Sequence, residues 1–297
     1  MPVINTSLPP YSLTASFHLW GRAFSDALTT FGILRTGDTG QINWDSAGSF
    51  STTSTNTYAG YEIRRFGDAL QTQNPVFLRI SYGVGQSTYA PGIELSFGTG
   101  SNGNGVLTGR PTNETFQFHG VNSHTASYAC TFSGSNNRFA TALFHNAGGY
   151  SMFLSIERTK NSSGQDTDEG LLVYISGATS SSAIRKQSIF VPKVSDGNLA
   201  LVPDSNIFIP LIGGSGLDSV TQTVGIYPNH FFRGGNILLP GINHFGYYFN
   251  DFIPGSIADI MMYGVSRKYL FLPNNSFINN QSRGNVNSAL CLAILHE

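Results

Sequence analysis

Only one stretch of this chain carries the rhythm of a helix, and everything after it changes period. From Ser16 to Phe31, apolar side chains recur at Phe17, Trp20, Phe24, Ala27, Leu28 and Phe31, spaced by three or four residues along one face. Ser16 is placed to cap the start, and Gly32 to end it in a left-handed turn. Beyond Ile33 the chain breaks into short runs in which apolar and polar residues partly alternate, as they do in sheets with one buried face. Residues 60–66, 76–82, 92–97, 140–145, 150–159, 171–176, 188–194, 206–212, 219–227, 257–263 and 289–296 read as strands. A polar loop from Lys160 to Gly170 turns a hairpin between two of them. Gly, Pro, Asn and Ser punctuate the series, with Ser49 to Thr57 and Gly98 to Gly109 reading as exposed loops. The expected fold is mainly β: an antiparallel β-sandwich of jelly-roll type, preceded by one short amphipathic helix. Residues 1–45 are expected to form a leader and helix that act as a docking element, and 46–297 the sandwich.

Composition narrows what such a sandwich does. Charged residues make up 11% of the 297 residues, against 34 Gly and 22 Phe, where about a quarter is usual. A surface so poor in charge is covered by Ser, Thr, Asn, Gln and aromatic groups, which suits a chain packed against other chains. That favours a structural or recognition role over catalysis. The formal charge of -1 supplies no field for nucleic acid. The basic pairs Arg64-Arg65, Arg185-Lys186 and Arg267-Lys268 read as solvated positions. Cys130 and Cys291 lie far apart in apolar surroundings and read as buried free thiols. The opening residues lack the basic and apolar regions of a secretory signal, and no apolar run is long enough for a spanning helix, so no membrane insertion is expected.

Catalytic signatures are weak. Glycoside hydrolysis would need two facing carboxyl groups, with Glu62, Glu94, Glu157, Asp251 and Asp259 as candidates. Glu62, Glu94 and Glu157 fall on the polar phase of their strands and read as solvated. Asp166-Thr167-Asp168-Glu169-Gly170 has the alternating acids that begin a calcium loop, without the rest of that motif. His119 and His124 are close, but no third ligand stands at a zinc-like spacing. No Gly-x-Ser-x-Gly elbow occurs, and Gly83-Val84-Gly85 lacks the third glycine of a dinucleotide loop. The sequons at Asn113 and Asn161 are what an Asn-, Ser- and Thr-rich chain contains by chance. No cofactor is expected, and no enzymatic activity.

Leu19-Trp20-Gly21, the stretch Thr36-Gly37-Asp38-Thr39-Gly40-Gln41-Ile42-Asn43-Trp44 and the strand Gly60-Tyr61-Glu62-Ile63-Arg64-Arg65-Phe66 together resemble a group of tailed-bacteriophage virion proteins. The resemblance covers about the first hundred residues and thins to a shared hairpin style near Ser155 to Thr159. It implies a place in a virion, after synthesis in the host cytoplasm, and carries no catalytic motif. The expected role is a structural component of the tail, baseplate or fibre region, assembling as a symmetric oligomer with copies of itself and other virion proteins. Trp20 and Phe24 read as core or interface anchors, and Phe17, Trp20, Phe24, Phe31 and Trp44 are the expected assembly interface. An adhesin that binds a host receptor or surface glycan is the alternative, with Tyr227, His230, Phe232, Tyr247 and Tyr248 as candidate sugar contacts. A head decoration or neck protein is a further one.

Overall fold

A computed structural model describes residues 1–12, 14–50, 52, 54, 57–84, 91–109, 116–119, 126–145, 151–161, 165–178, 183–195, 198–204, 207–208, 227–228, 231–233, 236–239, 244–248, 256–262, 265–271 and 290–296. Among them, strands dominate and a single α-helix occurs.

The chain opens with a strand that the sequence reading missed, β1 (Val3–Leu8), followed by α1 (Phe17–Thr30). Ser16 stands at the N-cap, but its hydroxyl makes no cap bond; it donates to Pro10 O (2.7 Å) and accepts from Ser12 N (2.8 Å). The C-terminus behaves as expected. Gly32 sits at φ +82°, with Gly32 N on Thr29 O and Ile33 N on Leu28 O, the bond pair of a Schellman motif.

Next come β2 (Leu34–Arg35), β3 (Tyr58–Arg65), β4 (Phe77–Val84), β5 (Pro91–Gly98), a small hairpin of β6 (Gly100–Ser101) and β7 (Leu107–Thr108), and β8 (Phe116–His119). The order β2-β3-β4-β5-β8 forms a five-stranded sheet. A second sheet is built from successive hairpins: β9 (Tyr128–Ser135), β10 (Arg138–His145), β11 (Ser151–Lys160), β12 (Asp166–Ala178), β13 (Ala183–Ser195) and β14 (Asn198–Asp204). With β1 on the outer side of β9 it has seven strands. The expected polar loop between β11 and β12 is shorter than read, because Asp166 to Gly170 already belong to β12.

The later chain gives β15 (Ile207–Phe208), β17 (Phe231–Arg233) and β18 (Asn236–Leu239) in one three-stranded sheet. It also gives β16 (Tyr227–Pro228), β19 (His244–Tyr248), β20 (Ile257–Met262), β21 (Val265–Phe271) and β22 (Leu290–Leu295), ordered β16-β19-β22-β21-β20. Every pairing among the described strands is antiparallel. The strand expected at 219–227 lies outside the described residues except for Tyr227.

One hydrophobic cluster joins α1 to both large sheets. Leu78, Ile80, Ile93, Leu95 and Phe97 of the five-stranded sheet share it with Phe132, Phe139, Leu143, Leu154, Ile156 and Val173 of the seven-stranded sheet. The helix reaches the seven-stranded sheet through edge-on aromatic pairs, Trp20 on Tyr128 (4.9 Å between centroids) and Phe24 on Phe132 (5.1 Å). Such pairs add about 0.5–1.5 kcal/mol each beyond the area they bury. Phe17, Trp20, Phe24, Phe31 and Trp44 are therefore core residues of one chain, none more than 7% exposed, and not the surface of an assembly interface. Their apolar stripe is already covered by neighbouring strands. Residues 1–45 likewise supply a strand and a helix to the same core as the following sheets.

Candidate functional site: a sealed carboxylate

The Thr36 to Trp44 stretch and the Gly60 to Phe66 strand meet at the Glu62 carboxylate, where Ser25 of α1 joins them. Glu62 lies on β3 beside Ile80 and its side chain is fully buried. Its Oε1 accepts from Ser25 Oγ (2.7 Å) and Trp44 Nε1 (3.2 Å) and lies 3.3 Å from Arg35 Nη1. Its Oε2 accepts from Arg64 Nε (3.1 Å) and Tyr82 OH (2.9 Å). Arg64, 1% exposed, completes the arrangement. Its remaining N–H groups reach Thr29 Oγ1, Ile33 O, Ser25 O and Ser25 Oγ, so the whole guanidinium fork is satisfied. Glu62 and Arg64 are thus not the solvated groups expected from their strand phase. A buried charge is tolerated only when paired and hydrogen-bonded, and these two satisfy each other on one face of one strand. The local signal was an acid and a base at i and i+2.

The Thr36 to Trp44 stretch wraps the same strand. Gln41 Oε1 accepts from Ile63 N (2.7 Å), its amide donates to Thr36 O and Asp38 O, and Arg35 Nη2 donates to Ile42 O. Ile42 N donates to Tyr61 O (2.9 Å). Asp38 accepts from Thr36 Oγ1, Ser101 Oγ and Gly105 N, tying the stretch to the β6–β7 hairpin. Burial alone would raise the Asp38 carboxyl, but the Ser101 and Thr36 hydroxyls and the Gly105 amide outweigh it and hold it below the usual range. Gly105, at φ +78°, also passes so close to the Tyr61 hydroxyl that a Cβ there would lie 2.0 Å from it. Gly21 leaves room for the Trp44 ring in the same way, with a Cβ clash at 1.8 Å.

Chemically this is a brace. A carboxylate with both oxygens occupied by donors has no lone pair free to take a proton from a substrate. The other candidate acids do not converge on it. Glu94 pairs with Ser81, which in turn pairs with Tyr61, a row one residue out of phase with Glu62, Ile80 and Leu95, and so belongs to the opposite face of the sheet. Glu157, read as solvated, is buried on β11, 3.5 Å from Arg138 Nε. Asp259 is exposed on β20, and Asp251 lies outside the described residues. Arg158 and Asp68 make another buried ion pair, which ties β11 to the short 3-10 turn at Ala69–Thr72.

Asp166 pairs with Lys160 and accepts from Asn137, and Asp168 accepts from Asn74 Nδ2 (3.3 Å), so the acidic stretch opens a strand in place of a loop. Among the described residues, no group of three or more His, Cys, Asp or Glu is placed to hold a metal ion. His124 lies outside the described residues, and His119 ends β8. Cys130 is a buried free thiol, pushed up by burial, with Thr141 Oγ1 3.8 Å away. Arg65 and Lys268 are exposed, whereas Arg267 is half-buried.

Of the candidate sugar contacts, the backbone sets Tyr227 on β16 opposite Gly246, and Tyr247 and Tyr248 on β19 opposite Cys291 and Leu290, in one sheet. Phe232 lies on β17 in the three-stranded sheet, opposite Phe208 and Ile237, and His230 is outside the described residues. No helix among the described residues is long and apolar enough to cross a membrane. Neither a scan of protein-family models nor a search of curated protein sequences finds a match to this chain.

Proposed function

We propose that this chain is a structural component of a bacteriophage particle, in its tail, baseplate or fibre region, working as a symmetric oligomer of β-sandwich subunits. The observation that carries the reading is where the few charges go. Glu62, Arg64, Arg138, Glu157 and Arg158 are all buried in internal pairs, in a chain with only 16 Lys+Arg and 17 Asp+Glu. That takes five of the 33 charged side chains off the outside of a chain that has few to begin with. Contacts between such surfaces rest on apolar burial and backbone pairing, which salt weakens little, and a particle that persists outside its host needs that property. The brace that joins the Thr36 to Trp44 stretch to the Gly60 to Phe66 strand supports the same reading, since it makes two of the three resembling stretches determinants of a rigid subunit.

Antibody raised against the purified chain, applied to purified particles and imaged by negative stain, tests the proposal. Label at the tail or baseplate is the expected result. Label on the head or neck would move the subunit elsewhere on the particle, and unlabelled particles would overturn the assignment.

A further inference from the structure

Exposed apolar side chains gather on the hairpin of β20 and β21. Six large hydrophobic side chains are exposed among the described residues, and three of them, Ile257 (43%), Met261 (72%) and Val265 (48%), belong to this hairpin. β20 ends the order β16-β19-β22-β21-β20, so among the described strands it pairs with β21 on one side only. An edge strand of this kind offers a row of backbone donors and acceptors to another strand. Neither Pro nor Lys interrupts Ile257-Ala258-Asp259-Ile260-Met261-Met262. Asp259 is its one charge.

We propose that β20 pairs antiparallel with β20 of a second copy of this chain, about a two-fold axis through Asp259. The exposed phase of the strand reads Ile257, Asp259, Met261, a pattern that is its own complement when reversed. A two-fold perpendicular to the sheet keeps each side chain on its own face, and centring it on Asp259 sets Ile257 against Met261 of the second copy at both ends. The two Asp259 carboxylates then meet at the centre. Lys268 lies opposite Asp259 within each copy, so the row across the joint alternates as one lysine, two aspartates and one lysine. The central pair repels and each flanking pair attracts. The joint is a braked edge, weak between free copies and made when a particle holds them side by side, and the near-zero net charge of the chain adds no further barrier. This rests on the proposed assembly of the chain and names the edge that serves it.

A single cysteine at the axis tests the geometry. Asp259→Cys would place two thiols across an antiparallel pair, at a Cα separation of about 4.5–5.5 Å that a disulfide spans. Under mild oxidation the expected result is a covalent dimer well above the background of the parent chain, with its Cys130 and Cys291, and none from Val106→Cys at an exposed site elsewhere. In sedimentation experiments, Asp259→Asn should associate severalfold more tightly than the parent and Met261→Lys more weakly. Cross-linking no greater for Asp259→Cys than for Val106→Cys, or an unchanged association for Asp259→Asn, overturns the inference. Labelled particles with no cross-link would sink this joint alone, whereas a cross-link with unlabelled particles would sink the virion reading and leave the joint standing.

Discussion

Exchanging one oxygen of Glu62 for an amide nitrogen keeps the shape of the brace and removes its logic. In Glu62→Gln an N–H would face Ser25, Trp44 and Arg35, or Arg64 and Tyr82, all donors, while Arg64 stays buried without its counter-charge. Breaking a buried pair from one side costs about 3–5 kcal/mol, a large share of the roughly 5–15 kcal/mol that holds a domain folded. Urea unfolding of Glu62→Gln should show a loss of that order. Tyr82→Phe removes one donor to the carboxylate and should cost about 1.5–3 kcal/mol. The two losses should not add, because they share a partner. The buried phenols also set a limit at high pH. Burial raises Tyr11, Tyr82 and Tyr128, with the negative charge of Glu62 adding to the effect at Tyr82. An unfolded phenol ionises near pH 10, while these stay neutral in the native state, so stability is complete below about pH 10 and falls as pH rises beyond it, by about 1.36 kcal/mol per unit for each group. Spectrophotometric titration should find that these three phenols ionise only as the chain unfolds.

At the scale of elements, the docking of α1 can be tested where two effects oppose each other. Gly21→Ala improves helix propensity by about 1 kcal/mol, but its Cβ would lie 1.8 Å from the Trp44 ring. Overpacking of a core costs about 1–3 kcal/mol. Because the Trp44 ring is also held by its bond to Glu62 and its edge-on contact with Tyr82 (5.0 Å), it has little freedom to yield, and packing should win. The expected result is a net loss of stability, with a change in tryptophan emission that reports the displaced ring. The same helix shows what sequence reveals. Its stripe and its Gly32 stop are local patterns, readable within one window. The β11 and β12 hairpin was legible for the same reason, since its partners lie close in the chain. β1 was not, because it pairs Val3 with Ser133, and nothing near Val3 announces so distant a partner. Glu62 was misread because hydrophobic alternation assigns charge to solvent, whereas β3 buries both phases. Ile63 is buried, with its backbone bonded to Thr36 N and Gln41 Oε1, and Glu62 bonds Ser25 of the helix. The pairs Arg138 with Glu157 and Arg158 with Asp68 left no local trace at all.

At the scale of the whole molecule, the division between inner and outer charges among the described residues leads to the expectation that stability varies little with salt. The pairs with most at stake are buried, and ions in solution screen buried charges poorly. Among the described residues, the exposed pairs Arg22 with Asp26 (3.7 Å) and Arg22 with Asp45 (3.1 Å) are the ones that salt reaches, and such pairs contribute about 0–1 kcal/mol. With a formal charge of -1 there is also no global repulsion for salt to relieve. Urea is the suitable denaturant, because guanidinium is itself a salt and would mask the effect. The unfolding midpoint should therefore stay almost constant from low to molar sodium chloride, with an unchanged slope, while Glu62→Gln shifts it strongly at every salt concentration. A midpoint that collapsed as salt rose would mean that surface ion pairs hold the fold, and the charge-poor exterior could not then be what suits the subunit to a particle exposed to varied salt.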